Sequence, residues 1–327
     1  MVLDIIIPIL IFLVSLYVLT KGADFLVNGA TDLARYLKVS PIMIGLTLVS
    51  FGTSLPEFVV SFFAVLTGNV DISIGNIIGS NIANIGLVLG LSALIFPLAI
   101  KSESLMYEFP FMIVSTFLFM LLANNLYLFN GASYSIGRID ALIFLTVLLI
   151  FIVYVYKSIK DHRKAVLKEF KDEYKHINPL WKNTAYITAG ISMLFIGGKV
   201  FVGAASDLAR GFGISEAFIG VTIVAIGTSL PELFTSVVAA WKKETSIAIG
   251  NLVGSNIFNI LFVLGIVGLV KPIVVNPGLL FFDGMIMVGI TLLFLLFATM
   301  DMKVKRYEGA ILMLCYLTYI GFLIWRL

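Results

Sequence analysis

Apolar runs of about the length of a membrane helix alternate with short polar breaks along almost the whole chain. They lie at about 5–20, 41–66, 72–98, 105–123 and 136–156, and after one longer polar stretch at about 184–205, 217–240, 246–270, 279–299 and 308–325. The pattern predicts an all-α integral membrane protein of ten transmembrane helices. Residues 1–156 form a first five-helix unit, 157–182 a cytoplasmic connecting loop, and 183–327 a second unit. Met1 to Asp4 carries no positive charge, and no small-residue cleavage pattern follows Thr20. The run from Ile5 to Thr20 therefore reads as a retained span rather than a signal peptide.

Composition strengthens this reading. The 327 residues are 60% hydrophobic, with only 22 Lys and Arg and 19 Asp and Glu, whereas a soluble domain is about half apolar and a quarter charged. An ordinary soluble enzyme, a disordered chain and a nucleic-acid binder are excluded; the predicted partner is the lipid bilayer. The net charge of +3 matters only through where the cations fall. With the N-terminus outside, inside-facing segments hold Arg35, Lys38, Lys101, eight Lys or Arg from Lys157 to Lys182, Lys242, Lys243, Lys303, Lys305 and Arg306. Outside-facing segments hold Arg210, Lys271 and Arg326. That bias predicts a cell-membrane protein with both termini extracellular. Trp181, Trp241 and Trp325 fall at predicted helix ends, in the headgroup zone. Cys315 is the single cysteine and reads as a small apolar residue. His162 and His176 lie in the 157–182 segment, which reads as a solvated connector.

The second half repeats the first. Residues 52–57 and 227–232 both read GTSLPE, while 74–85 read IGNIIGSNIANI against IGNLVGSNIFNI at 249–260. The offset is 175 in both blocks, and it also aligns Asp32-Leu33-Ala34-Arg35 with Asp207-Leu208-Ala209-Arg210. Five spans per half would make the copies an inverted-topology pair, with repeat regions at about 41–95 and 216–270. Transporters of that build hold substrate at the repeat interface near the bilayer midplane.

The chemistry sits in these blocks. Glu57 and Glu232 occupy otherwise apolar helices, where an unpaired ionised carboxylate costs several kcal/mol. Pairing with a buried lysine, or protonation, would be the purely structural explanation, but no basic residue recurs beside either one. Thr53 and Ser54 precede Glu57 by four and three residues, as Thr228 and Ser229 precede Glu232, so each set can share a helix face. Ser80 and Asn84, and Ser255 and Asn259, are i,i+4 pairs. Any one of these hydroxyls or amides could instead bond its own backbone or a neighbouring helix; their matched recurrence favours a shared site. Pro56 and Pro231 withhold a donor from Gly52 and Gly227, which frees carbonyls beside each glutamate. Gly75 with Gly79, and Gly250 with Gly254, read as close-packing faces.

Such a ligand set is all oxygen. Two carboxylates with hydroxyls, amides and carbonyls suit Ca²⁺ or Na⁺ and disfavour zinc or copper. An emptied pair of buried negative charges would be costly to occlude, so the site favours exchange over leak.

The paired GTSLPE and GN-x-x-GSN-x-x-N blocks, in five-plus-five spans, resemble the repeats of the cation/calcium exchanger superfamily, above all prokaryotic sodium/calcium exchangers. The resemblance implies alternating access, with Na⁺ entry driving Ca²⁺ out; separately, the expectation is of no cofactor and a chain able to function as a monomer. It implies that Glu57 and Glu232 bind calcium and share in sodium binding. Thr53 and Thr228 would contribute largely through backbone carbonyls, and Ser54, Ser80, Asn84, Ser229, Ser255 and Asn259 would complete the sodium sites. The first and sixth helices would slide as a gate against the other eight. Some relatives, including potassium-dependent ones, carry Asp where this chain has Asn259, which argues against a potassium requirement. The glutamate motif of the proton/calcium branch is absent from both blocks, so sodium coupling is favoured over proton/calcium antiport and over a passive cation channel.

Overall fold

The computed structural model describes residues 2–100, 108–124, 134–169, 178–212 and 225–326, with side chains outside 2–5, 160–169 and 225. The fold is helical. Helix α1 (Val2–Leu37) leads into a bent pair, α2 (Pro41–Thr53) and α3 (Leu55–Leu66), whose axes differ by 42°. Then come α4 (Val70–Ile95), α5 (Glu108–Ala123) and α6 (Arg138–Glu169). The second half holds α7 (Leu180–Gly211), α8 (Ala225–Gly227), α9 (Leu230–Trp241), α10 (Thr245–Val270), α11 (Leu279–Asp301) and α12 (Arg306–Trp325). Helix boundaries recur at the sequence offset of 175, α3 with α9 and α4 with α10.

Seven of these helices are long and apolar enough to cross a membrane, or eight when α2 and α3 count as one bent span. The ten-span expectation is not reached by length. Helix α5 has 16 described residues, and α9, with 12 residues, rises about 18 Å. The predicted spans 105–123 and 217–240 have their first parts, 105–107 and 217–224, outside the described residues. Two expected boundaries move. Helix α1 runs past Thr20 to Leu37 because its polar positions there find partners, Asp24 pairing with Lys242. The polar stretch 157–182 is helical as far as Glu169 and again from Leu180, since Lys, Arg and Glu are good helix formers. His176 and the side chain of His162 lie outside the described residues.

Burial sorts the helices into layers. In the most apolar windows of α4 and α10, 78% of residues are buried, against 22% in α1, so the former are central and the latter peripheral. Helices α1 and α7 lie antiparallel and touch at glycines. A Cβ on Gly190 would stand 2.8 Å from the carbonyl of Gly22, and one on Gly29 3.0 Å from that of Asn183. Without water to drive association, such small-residue contacts let membrane helices gain dispersion energy at short range. Phe63, Leu149, Leu314 and other large apolar side chains cover the exterior. Trp181, Trp241 and Trp325 are exposed at the helix ends where they were predicted. Two antiparallel ladders of two residues each, β1 (Leu98–Ala99) with β4 (Lys303–Val304) and β2 (Ser135–Ile136) with β3 (Ile273–Val274), tie the halves together. They are additions to the all-α expectation, too short for any sequence periodicity.

Candidate ion-binding site

Each GTSLPE block is a helix break. Ser54 (φ −82°, ψ 4°) and Ser229 (φ −85°, ψ 6°) leave helical geometry just before the prolines, and α3 and α9 restart with Glu57 and Glu232 in their first turns. Proline fits a first turn because its missing N–H has no intrahelical partner there. The break turns the hydroxyls away from the carboxylate on their own helix. Spacing predicted Ser54 with Glu57 and Ser229 with Glu232. The structure instead gives Ser54 donating to Glu232 Oε1 at 3.1 Å and Ser229 donating to Glu57 Oε1 at 3.3 Å.

The two central helices complete each cluster from within the same half. Ser80 donates to Glu57 Oε1 at 3.4 Å and Ser255 to Glu232 Oε1 at 3.3 Å. Both carboxylates are fully buried and lie within electrostatic reach of each other. Among the described residues their second oxygens, Glu57 Oε2 and Glu232 Oε2, have no hydrogen-bond partner. Among the described residues no lysine or arginine pairs with either. Two buried carboxylates beside neutral hydroxyls offer the all-oxygen surroundings that a hard cation favours. Among the described residues no cluster of three or more His, Cys, Asp or Glu exists, so any cation held here would draw on neutral oxygens as well.

The remaining candidates divide. Thr53 reaches the Glu232 side, 3.0 Å from Asn251 Oδ1 and 3.4 Å from Ser255 Oγ. Thr228 donates to Asn76 Oδ1 at 3.1 Å and shows no bond to Glu57. Asn84 and Asn259 are fully buried where π-helical turns begin at Asn84–Leu89 and Asn259–Leu264, a feature frequent at functional sites. Neither amide bonds a glutamate. Asn84 donates to Asn256 Oδ1 at 3.0 Å, while Asn84 Oδ1 and both polar atoms of Asn259 have no partner among the described residues.

Sequence reasoning missed a supporting layer. Asn76 donates to Ser61 Oγ at 3.0 Å and to the Glu57 carbonyl at 3.2 Å. Asn251 repeats this with Ser236 Oγ at 3.0 Å and the Glu232 carbonyl at 3.4 Å. These amides hold the start of α3 to α4 and of α9 to α10. Recurrence of Asn76 and Asn251 at the 175 offset was the available signal. One glycine expectation fails as well. A Cβ on Gly250 would come 2.6 Å from the Ile42 carbonyl, as close packing predicts, but among the described residues nothing lies within 4 Å of one on Gly75 or Gly79.

Residues 7–157 and 182–325 match the family described as sodium/calcium exchanger protein. The chain belongs to the sodium/calcium exchanger family. A candidate antiporter, CaxA of Alkalimonas amylolytica, is 38% identical over 314 residues, covering 94% of this chain and 95% of its own. The sodium/calcium exchanger MaX1 of Methanosarcina acetivorans is 34% identical over 338 residues, with 95% and 97% covered. The sodium-calcium exchanger NCX_Mj, in a structure soaked with 2.5 mM Na⁺ and 0.1 mM Ca²⁺, superposes with a TM-score of 0.81 at 30% identity, over 97% of this chain and 98% of that one. As a member of this exchanger family the chain is a multi-pass membrane transporter rather than an enzyme.

Proposed function

We propose that the chain is a sodium/calcium antiporter working by alternating access, and that Glu57 and Glu232 hold the transported calcium. The supporting observation is the crossed pair of bonds, Ser54 to Glu232 and Ser229 to Glu57, which puts oxygens of both halves around two buried carboxylates that have no basic partner among the described residues. Two negative charges match one Ca²⁺, and the same oxygens can divide among several Na⁺. Thr53, Ser80 and Ser255 would add ligands, with Thr228, Asn84 and Asn259 joining as ions load. Empty, the cage would carry uncompensated charge in a medium of low dielectric, so the return step proceeds only with cations bound; that requirement is coupled exchange.

On this reading the chain is ten spans in two inverted five-helix repeats, residues 1–156 and 183–327, with both termini outside the cell membrane and the 157–182 connector inside. It needs no cofactor and can work as a monomer. Helices α1 and α7, peripheral and joined glycine to glycine, would be the moving pair. Uptake of ⁴⁵Ca²⁺ into proteoliposomes tests the reading. Uptake that follows an outward sodium gradient supports it, uptake that follows only a pH gradient replaces it with proton/calcium antiport, and calcium leak without countertransport replaces it with a channel.

A further inference from the structure

Outside the glutamate cage, the structure holds a further buried carboxylate beside a cavity. A cavity of about 440 Å³ is lined by Gly75, Gly79, Asn76, Thr228, Asp283 and Tyr319, together with apolar side chains. At about 30 Å³ per water it has room for roughly fifteen, enough for a hydrated cation. Part of its wall is the Thr228–Asn76 hydrogen bond of 3.1 Å, and Asn76 in turn holds the Glu57 carbonyl at 3.2 Å. The space therefore borders the cage through one layer of side chains. Asp283 is the single carboxylate among its lining residues and is 8% exposed. The Tyr319 hydroxyl donates to Asp283 Oδ1 at 2.8 Å and fixes the carboxylate in place. Arg326, stacked on the rings of Phe282 and Phe322, lies within Coulombic range of Asp283.

The internal repeat sharpens the picture. Shifted by 175 positions, Asp283 falls on Glu108, an acid in the first turn of α5 that is 1% exposed. The glycines behave the same way: Gly75 and Gly79 border the cavity, while their mates Gly250 and Gly254 are packed against α2. The space thus lies between glycines of the first half and an acid of the second, while the repeat counterparts Gly250, Gly254 and Glu108 are packed in.

We propose that Asp283 is a docking carboxylate that receives hydrated cations on their way to the glutamate cage, and that Glu108 serves the opposite membrane face in the alternate state. The inference rests on the exchange reading and adds a binding step to it. A fixed negative charge in a low-dielectric mouth raises the local cation concentration and the entry rate without altering the cage. It therefore governs KM for external ions on one face, not the maximal rate.

The test is sided calcium transport in sealed vesicles of each orientation, with wild type, Asp283→Asn, Asp283→Glu and Glu108→Gln. Asp283→Asn is expected to raise the calcium KM about tenfold at one face, with maximal rate and the KM at the other face unchanged, and Asp283→Glu to restore it. Glu108→Gln should raise KM at the opposite face alone. Raising ionic strength with choline chloride should narrow the difference between Asp283→Asn and wild type, since salt screens the attraction of ions from bulk to the mouth. Arg326→Gln, an exposed change that removes a competing cation, should lower KM at the Asp283 face even if the aspartate variants do not fold. An unchanged KM in Arg326→Gln or Asp283→Asn, or an equal change at both faces, overturns the inference while wild-type exchange stands. A wild type that moves no calcium overturns the exchange reading itself.

Discussion

Ser54 and Glu232 lie 178 residues apart in the chain and meet through a buried 3.1 Å hydrogen bond. Its mate, Ser229 to Glu57 at 3.3 Å, crosses the other way, so each half holds the carboxylate of its partner. Anything that separates the halves must break both bonds, and anything that fills the cage must pull both halves in. Ion occupancy and the relative position of the repeats are thereby coupled through four side chains.

Replacing Ser54 with Ala should expose that coupling. Loss of one buried bond to a carboxylate is expected to lower stability by about 1–3 kcal/mol and to weaken calcium uptake. In a double-mutant cycle with Glu232→Gln, thermal unfolding should show a non-zero interaction energy. Additive effects would mean that the two side chains do not act together.

Glu57→Gln and Glu232→Gln should each abolish sodium-driven calcium uptake while the protein still folds. Neutral amides keep the volume of the site and remove half its charge. Calcium at about 100 times its Kd would stabilise the wild type by about 2.7 kcal/mol, so the melting temperature should rise on calcium addition in wild type and not in either variant. Near-normal uptake in one of them rejects the cage.

Much of this was legible in the sequence because repetition filters accident. The 175-residue offset located both glutamates, and the boundaries of α3 and α9 follow it residue for residue. The direction of the hydroxyls was not legible. Helical spacing assumes a continuous helix, and the kink at Ser54 points its side chain across the interface instead. Hydropathy closed the first span at Thr20, since it cannot see that Lys242 answers Asp24 and Asn28 on the next turns. Asn76 and Asn251 were overlooked although they recur, because an amide in a membrane helix so often serves only packing. The differing surroundings of the two glycine pairs were invisible in principle: the sequence repeats, but a single conformation need not.

That difference makes its own prediction. Gly75→Ala should be neutral or stabilising by up to about 1 kcal/mol, since alanine is the better helix former and its methyl meets nothing among the described residues. Gly250→Ala, the same change at the repeat mate, would press a methyl to 2.6 Å from the Ile42 carbonyl and should cost about 1–3 kcal/mol. Thermal unfolding of the two variants side by side gives the comparison; equal losses would remove the asymmetry between the halves.

Asn259 offers the sharpest test of cage membership. It is fully buried, and among the described residues neither its Oδ1 nor its Nδ2 has a hydrogen-bond partner, so an aspartate of nearly the same shape breaks no bond among them. Asn84 differs, because its Nδ2 holds Asn256 at 3.0 Å and an ionised aspartate could not donate that bond. Asn259→Asp should therefore fold and transport, whereas Asn84→Asp should cost about 1–3 kcal/mol. A third buried carboxylate needs a further cation or proton to balance it, so calcium transport by Asn259→Asp should acquire a new dependence on monovalent ions or on pH. Flux measured across Na⁺, K⁺ and pH series reads this directly, and profiles identical to wild type would place Asn259 outside the ligand shell.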